Sequence, residues 1–200
     1  MLRLGFLASH NGASMRAIVH AIEAGELDAE AAVVISNNTD AAALAFAREH
    51  GVAAAHIGKT TAGSDEAADA AIRSALSDAR ADLVILSGYL RMVGPLTLER
   101  FGGRILNVHP ALLPKHGGKG MYGRFVHEAV IAAGETISGA TVHLVDEVYD
   151  HGPVINQRTV PVYPADTAES LAARVVAIEG PLFVETLRAI GARGGAVLAN

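Results

Sequence analysis

Apolar residues follow two rhythms along the chain. Short runs at 2–7, 31–36 and, more weakly, 52–57 read as strands, and the continuous apolar run at 82–86 as one buried on both faces. Between them, apolar positions recur three and four apart. The first such stretch, 15–24, sets Met15, Ile18, Val19 and Ile22 on one helical stripe. Asn37-Asn38-Thr39-Asp40 has the composition of a cap for a second helix reaching about His50, and Gly51 ends it. The segment 58–63 reads as a loop, after which Ser64 opens an alanine-rich helix to about Ala79. Strand and helix alternate throughout, which predicts an α/β fold of the three-layer, doubly wound type with ligands at the carboxyl ends of its strands.

The second half begins in the same style. Pro95 suits the first position of a short helix to about Phe101, a strand follows at 104–109, and 124–133 is helical. From Gly139 the period becomes two. Residues 140–145 and 154–162 alternate, so a hairpin-like pair of strands should turn the mostly parallel sheet into a mixed one. Asp166-Thr167-Ala168-Glu169 has the form of a capping box before a helix with Leu171, Val175 and Ile178 at core spacing. Gly180-Pro181 should break or kink that helix before 182–190 continues. No repeat or linker divides the chain, and one domain over 1–200 is expected.

Chemistry concentrates where strands end. Asn107-Val108-His109-Pro110 closes the 104–109 strand, and alternation points Asn107 and His109 to the same side. A carboxamide donor beside an imidazole suits a reaction that builds an oxyanion. The competing reading is a turn-capping Asn and a satisfied core His. Ser9-His10-Asn11-Gly12-Ala13-Ser14 joins the first strand to its helix, where unpaired N–H groups and the helix dipole can hold a phosphate. Equally, Asn11-Gly12 is a tight turn and Ser14 an N-cap. Residues 87–95 form a glycine-bounded candidate ligand wall, and Ser87-Gly88 should lie near Asn107 and His109. Residues 115–123 hold four glycines and read as an irregular functional loop. Asp146, Glu147 and Asp150 place three carboxylates in five residues, a pattern that by itself reads as a solvated acidic turn.

Composition narrows these options. The chain has no cysteine, so disulfides and thiolate metal sites are excluded, in keeping with a reducing cytoplasm. A net charge of −5, with 16 scattered Lys and Arg, argues against nucleic acid as a partner. The apolar start, 1–8, leads straight into a polar loop and reads as a strand rather than a signal peptide. No apolar run approaches the roughly 20 residues of a membrane span.

Taken together, Leu7-Ala8-Ser9-His10-Asn11-Gly12-Ala13-Ser14-Met15, Leu86-Ser87-Gly88-Tyr89-Leu90-Arg91-Met92, Asn107-Val108-His109-Pro110-Ala111-Leu112-Leu113-Pro114, Gly139-Ala140-Thr141-Val142-His143 and Asp150-His151-Gly152-Pro153-Val154 resemble the phosphoribosylglycinamide formyltransferase family over roughly 2–190. The resemblance implies a formyltransferase-like Rossmann-type fold, with a phosphate-binding half over 1–100 and a catalytic, folate-binding half over 101–200. It implies transfer of a formyl group from 10-formyltetrahydrofolate, a co-substrate, to glycinamide ribonucleotide in purine synthesis. No metal and no covalent intermediate are implied. Asn107, His109 and Asp150 would be catalytic, the first two as donors to the oxyanion and Asp150 by favouring the charged imidazole and ordering a water. Gly12, Ala13, Ser14 and Glu179 would meet the ribonucleotide. Leu90, Arg91, Met92 and Val93, with Asn107 and with Asp146, Glu147, Val148, Tyr149 and Asp150, would line the folate pocket. His143 would support the site. A cytoplasmic location and a homodimer accompany the resemblance.

The chain departs from the family's pattern at Ala13 and Ser14, at Asp65, where an arginine often meets the folate, and at Gly180-Pro181. The 115–123 loop resembles a variant form in which Lys119 supplies positive charge. The alternatives are another 10-formyltetrahydrofolate-dependent formyltransferase or hydrolase, of which the hydrolase and the tRNA-directed enzyme normally carry an extra domain, and a non-catalytic nucleotide-binding module. A dinucleotide dehydrogenase is disfavoured, because the first loop lacks the glycine fingerprint.

Overall fold

A computed structural model describes residues 1–197 of the chain. Among the described residues seven strands form one sheet in the order β3-β2-β1-β4-β5-β6-β7. They are β1 (Leu2–Ala8), β2 (Ala29–Ser36), β3 (Ala53–His56), β4 (Leu83–Leu86), β5 (Ile105–His109), β6 (Ile137–Leu144) and β7 (Val154–Pro161). β1 to β5 run parallel, whereas β6 is antiparallel to β5 and β7 to β6. The mostly parallel, mixed sheet is therefore observed.

Helices cover both faces, which is why β4, Leu-Val-Ile-Leu, is buried at every position. On one face, α1 (Ala13–Glu23), α2 (Ala42–Glu49), α6 (Arg124–Ala132) and α7 (Ala168–Ala192) enclose a core that includes Phe6, Met15, Leu44, Val130 and Phe183. On the other, α4 (Asp65–Asp78) and α5 (Pro95–Phe101) pack over Leu7, Ile35, Leu76 and Phe101. Among the described residues no helix is long and apolar enough to cross a membrane.

Local details depart from the sequence reading where tertiary contacts outweigh local signals. Ala41, not the preceding polar tetrad, is the N-cap of α2. Asn37 and Asn38 instead tie β2 to β1: Ser9 Oγ donates to Asn37 Oδ1 at 2.6 Å and Asn38 Nδ2 donates to Ser9 O at 2.6 Å. The 58–63 segment contains a short helix, α3 (Lys59–Ala62). Ser64 caps α4 as read, accepting from Ala67 N. The box at the start of α7 pairs Thr167 with Ser170 rather than with an acidic partner, because Asp166 is taken by Arg174 at 2.7 Å.

The largest correction concerns Gly180-Pro181, across which α7 runs unbroken. An internal proline costs about 3 kcal/mol. Burial of Leu182, Phe183 and Leu187 just beyond it stabilises the continued helix by about 1.5–3 kcal/mol each, and packing wins. Gly180 is required by the same packing, since a Cβ there would stand 2.6 Å from Ala17 Cβ on α1.

Candidate active site

The antiparallel pairing of β5 with β6 creates the site. Its register sets Asn107 directly opposite His143, and the Asn107 amide nitrogen lies 3.1 Å from His143 Nε2. His143 Nδ1 donates to Leu144 O at 2.8 Å, and its Nε2 faces both the Asn107 amide nitrogen and Asp150. The chain leaves β6, turns, and brings in Asp150 with a left-handed backbone, φ 55°. Its Oδ2 lies 3.3 Å from His109 Nδ1 and its Oδ1 lies 3.5 Å from His143 Nε2. Gly118 N–H donates to Oδ2 at 3.0 Å. His109 Nε2 faces the carbonyl of His116 at 2.8 Å. Asn107, His109, His143 and Asp150 thus form one hydrogen-bonded cluster, with the two histidines 3% and 2% exposed.

Burial pushes the Asp150 carboxyl up, but hydrogen bonds from His109 and His143, the His109 charge and the Gly118 N–H outweigh it and hold the group well below the usual carboxylate range. Asp150 is therefore a fixed anion between two imidazoles. Asp146 is opposed by burial and held low by His151 and the Val148 N–H, but it is spent within its own turn, 2.8 Å from Val148 N and 2.9 Å from His151 Nδ1. Glu147 is exposed. Of the three clustered carboxylates only Asp150 reaches the histidines, so the solvated-turn reading holds for part of the segment. Glu179, half-buried on α7, has its pKa raised to about 7 by desolvation, against the opposing charge of His109.

Backbone close approaches hold this arrangement. A Cβ at Gly152 would fall 1.9 Å from Leu144 O, and one at Gly117 would fall 2.4 Å from Leu113 Cδ2 and 3.2 Å from the Cβ of Asp150. Thr141 on β6 pins the chain after Pro110, donating to Ala111 O at 2.6 Å and accepting from Leu113 N at 3.0 Å. The sequence reading missed Gly117, Gly118 and the His116 carbonyl as site elements. Their only signal was the run of glycines, which marks close approach without naming a partner.

At the α1 start, Gly12 is the N-cap in the left-handed region, φ 66°, and is buried. Ser14 is therefore not the cap; it lies inside the helix and is buried. Met15 N donates to Ser87 Oγ at 2.9 Å and Arg16 N to Gly12 O at 2.9 Å, so the N–H groups of Ala13 and Ser14 are the donors left at the helix start. Leu90 N donates to Ser9 Oγ at 2.8 Å. Leu90, Arg91, Met92, Val148 and Tyr149 are exposed, and Val93 is buried. Leu90, Met92, Val148 and Tyr149 are thus large apolar side chains left in water. Asp69 accepts from Leu96 N, Thr97 N and Thr97 Oγ1 at the start of α5. A cleft of about 1420 Å³ runs from Arg91 and Met92 to Asn38 and Lys59 and includes none of Asn107, His109, His143 and Asp150. Within it Lys59 is paired to Asp65 at 2.9 Å.

The formyl transferase family model matches residues 2–187. A chloroplastic phosphoribosylglycinamide formyltransferase of Vigna unguiculata is 38% identical over 94% of this chain, which spans 60% of that relative. The phosphoribosylglycinamide formyltransferase of Haemophilus influenzae is 36% identical over 87% of this chain and 80% of its own length. The crystal structure of glycinamide ribonucleotide transformylase 1 from Symbiobacterium toebii superposes with a TM-score of 0.89 at 38% identity, covering 97% of this chain and 89% of that one. The chain thus belongs to the formyl transferase family, among its phosphoribosylglycinamide formyltransferases.

Proposed function

We propose that the chain transfers the formyl group of 10-formyltetrahydrofolate to the primary amine of glycinamide ribonucleotide, a step of purine nucleotide synthesis. The observation that carries this reading is Asp150 bridging His109 and His143 beside the Asn107 amide, at the carboxyl end of β5. Attack of the neutral amine on the formyl carbon forms a new C–N bond and an oxyanion. Asn107 keeps one amide N–H for that oxygen after serving His143, and His109 supplies a second from Nε2 once the His116 carbonyl yields it. Asp150 holds the imidazole through Nδ1 and orders a water that takes up the proton the attacking nitrogen loses. That proton passes to the folate nitrogen as its bond to the formyl carbon breaks. The residues present fit both substrates: backbone N–H groups at Ala13 and Ser14 with Gly12 for the phosphate, Glu179 for the ribose or amine, and the 90–93 and 146–150 walls with Asn107 for the folate.

A homodimer in the cytoplasm completes the proposal, the first part being read by sedimentation. The test of the reaction is a spectrophotometric assay of folate release with and without glycinamide ribonucleotide. Release that requires the acceptor and falls about 10²–10⁴-fold in Asp150→Asn supports the proposal. Release without acceptor assigns a hydrolase instead. Binding of the ribonucleotide without any release assigns a binding module.

A further inference from the structure

Far from the reacting groups, the last turn of α1 and the end of α2 bring together His20, Glu23 and His50. His20 Nδ1 lies 3.4 Å from Glu23 Oε2, and His50 Nδ1 lies 2.6 Å from Glu23 Oε1. One ligand atom from each residue falls within 4.8 Å of the other two. We propose that this trio is a binding site for a divalent transition-metal ion of the zinc class, clasping α1 to α2.

Three observations converge on a cation. The donor set is two imidazoles and a carboxylate, which zinc takes with a fourth, open position for water. Tetrahedral ligand atoms about 2.0–2.1 Å from zinc stand roughly 3.4 Å apart, and one ligand atom from each of the three residues already lies within 4.8 Å of the others, so side-chain adjustment of about 1 Å closes the set. The residues also sit where two helix carboxyl ends meet, since α1 ends at Glu23 and His50 is the C-cap of α2. Both helix dipoles there favour a positive charge. Finally, the rings are held before any ion arrives. Phe46 stacks on His50 with centroids 4.0 Å apart and meets the edge of His20 at 5.3 Å, while His20 and His50 stand 5.3 Å apart. The nearby Arg16 is turned to other partners: it lies over Phe46, with its guanidinium donating to Asn11 O and Ala42 O. Such ring orientation by neighbours is what lets an exposed ligand set bind without a large ordering cost.

The clasp lies outside the reaction, so its removal leaves formyl transfer at the wild-type rate. The test titrates Zn²⁺ calorimetrically into the full chain after chelator treatment, for wild type, His20→Ala, Glu23→Gln and His50→Ala. One equivalent bound by wild type, with at least a tenfold loss of affinity in each histidine variant, supports the site. Wild-type affinity retained in either histidine variant overturns it, including the case in which zinc sits on His109, His143 and Asp150 instead. A second reading guards against variants that fold poorly. Co²⁺ on the wild-type chain should give the strong visible absorption of a four-coordinate ion, and the weak absorption of a six-coordinate aquo-like ion overturns the proposal. Zinc at about 100 times its Kd should raise the wild-type Tm by roughly 5–10 °C.

Discussion

The protein carries the same trio twice, two imidazoles about one carboxylate. At His109–Asp150–His143 the side chains are 3%, 11% and 2% exposed; at His20–Glu23–His50 they are 60%, 46% and 20% exposed. In both, hydrogen bonds from the histidines pull the carboxyl pKa down against a desolvation that pushes it up. What separates them is the remaining valence. In the buried trio each ring nitrogen has a stated partner, the His116 and Leu144 carbonyls taking those that Asp150 does not, and Asp150 has the Gly118 N–H besides. The surface trio has open positions facing water. Saturated and desolvated, the set orients protons; unsaturated and wet, it can take a cation.

Substitutions at matched positions test that contrast. Asp150→Ala leaves two buried imidazoles without their anion, and kcat should fall about 10²–10⁴-fold in steady-state assay. Stability should fall by about 3 kcal/mol, seen as a Tm lower by roughly 6–12 °C. Gly117→Ala inserts a methyl group between Leu113 and Asp150 and should lower kcat about tenfold or more with a smaller loss of Tm. Glu179 gives a pH signature. Its folded pKa, about 7, exceeds the ordinary glutamate value of 4.5, so the folded state binds the extra proton between those values and stability contributed by protonated Glu179 is lost as pH rises through that window. The Tm of wild type should therefore fall relative to Glu179→Gln between pH 5 and 7. Asp150 acts with the opposite sign and at lower pH, since its depressed pKa contributes stability above the usual value near 3.8 that is lost on further acidification. Glu23→Gln, the surface counterpart of the first variant, should change metal-free Tm by no more than about 2 °C and leave kcat unaltered. An equal response of the two carboxylates would break the contrast.

The alternation of strands and helices, the mixed sheet and the shared side of Asn107 and His109 were legible because they rest on strong signals: apolar runs with period-two side-chain placement, and polar residues at strand ends. Asp150 was separable from Asp146 only through the family resemblance, since three carboxylates in one turn carry no mark of which points inward. The break expected at Gly180-Pro181 illustrates the converse. Local chemistry opposed the helix, and the buried side chains on either side decided otherwise. Gly12 displaced Ser14 as cap for a related reason, because the α1 start is fixed by the bond from Met15 N to Ser87, just past the end of β4, the neighbour of β1 in the sheet. Such contacts span 72 residues of chain and leave no local trace.

The serine pair at the ends of β1 and β4 has a thermodynamic consequence. Ser87 anchors the start of α1 and Ser9 anchors Leu90, so the loop proposed to hold the phosphate and the wall proposed to hold the folate share one seam. A ligand that stiffens the seam from one side relieves its partner of part of the ordering entropy, and linkage makes the benefit reciprocal. Each substrate should therefore tighten the other by the same factor, and loosening Ser9 should uncouple two affinities that otherwise rise together.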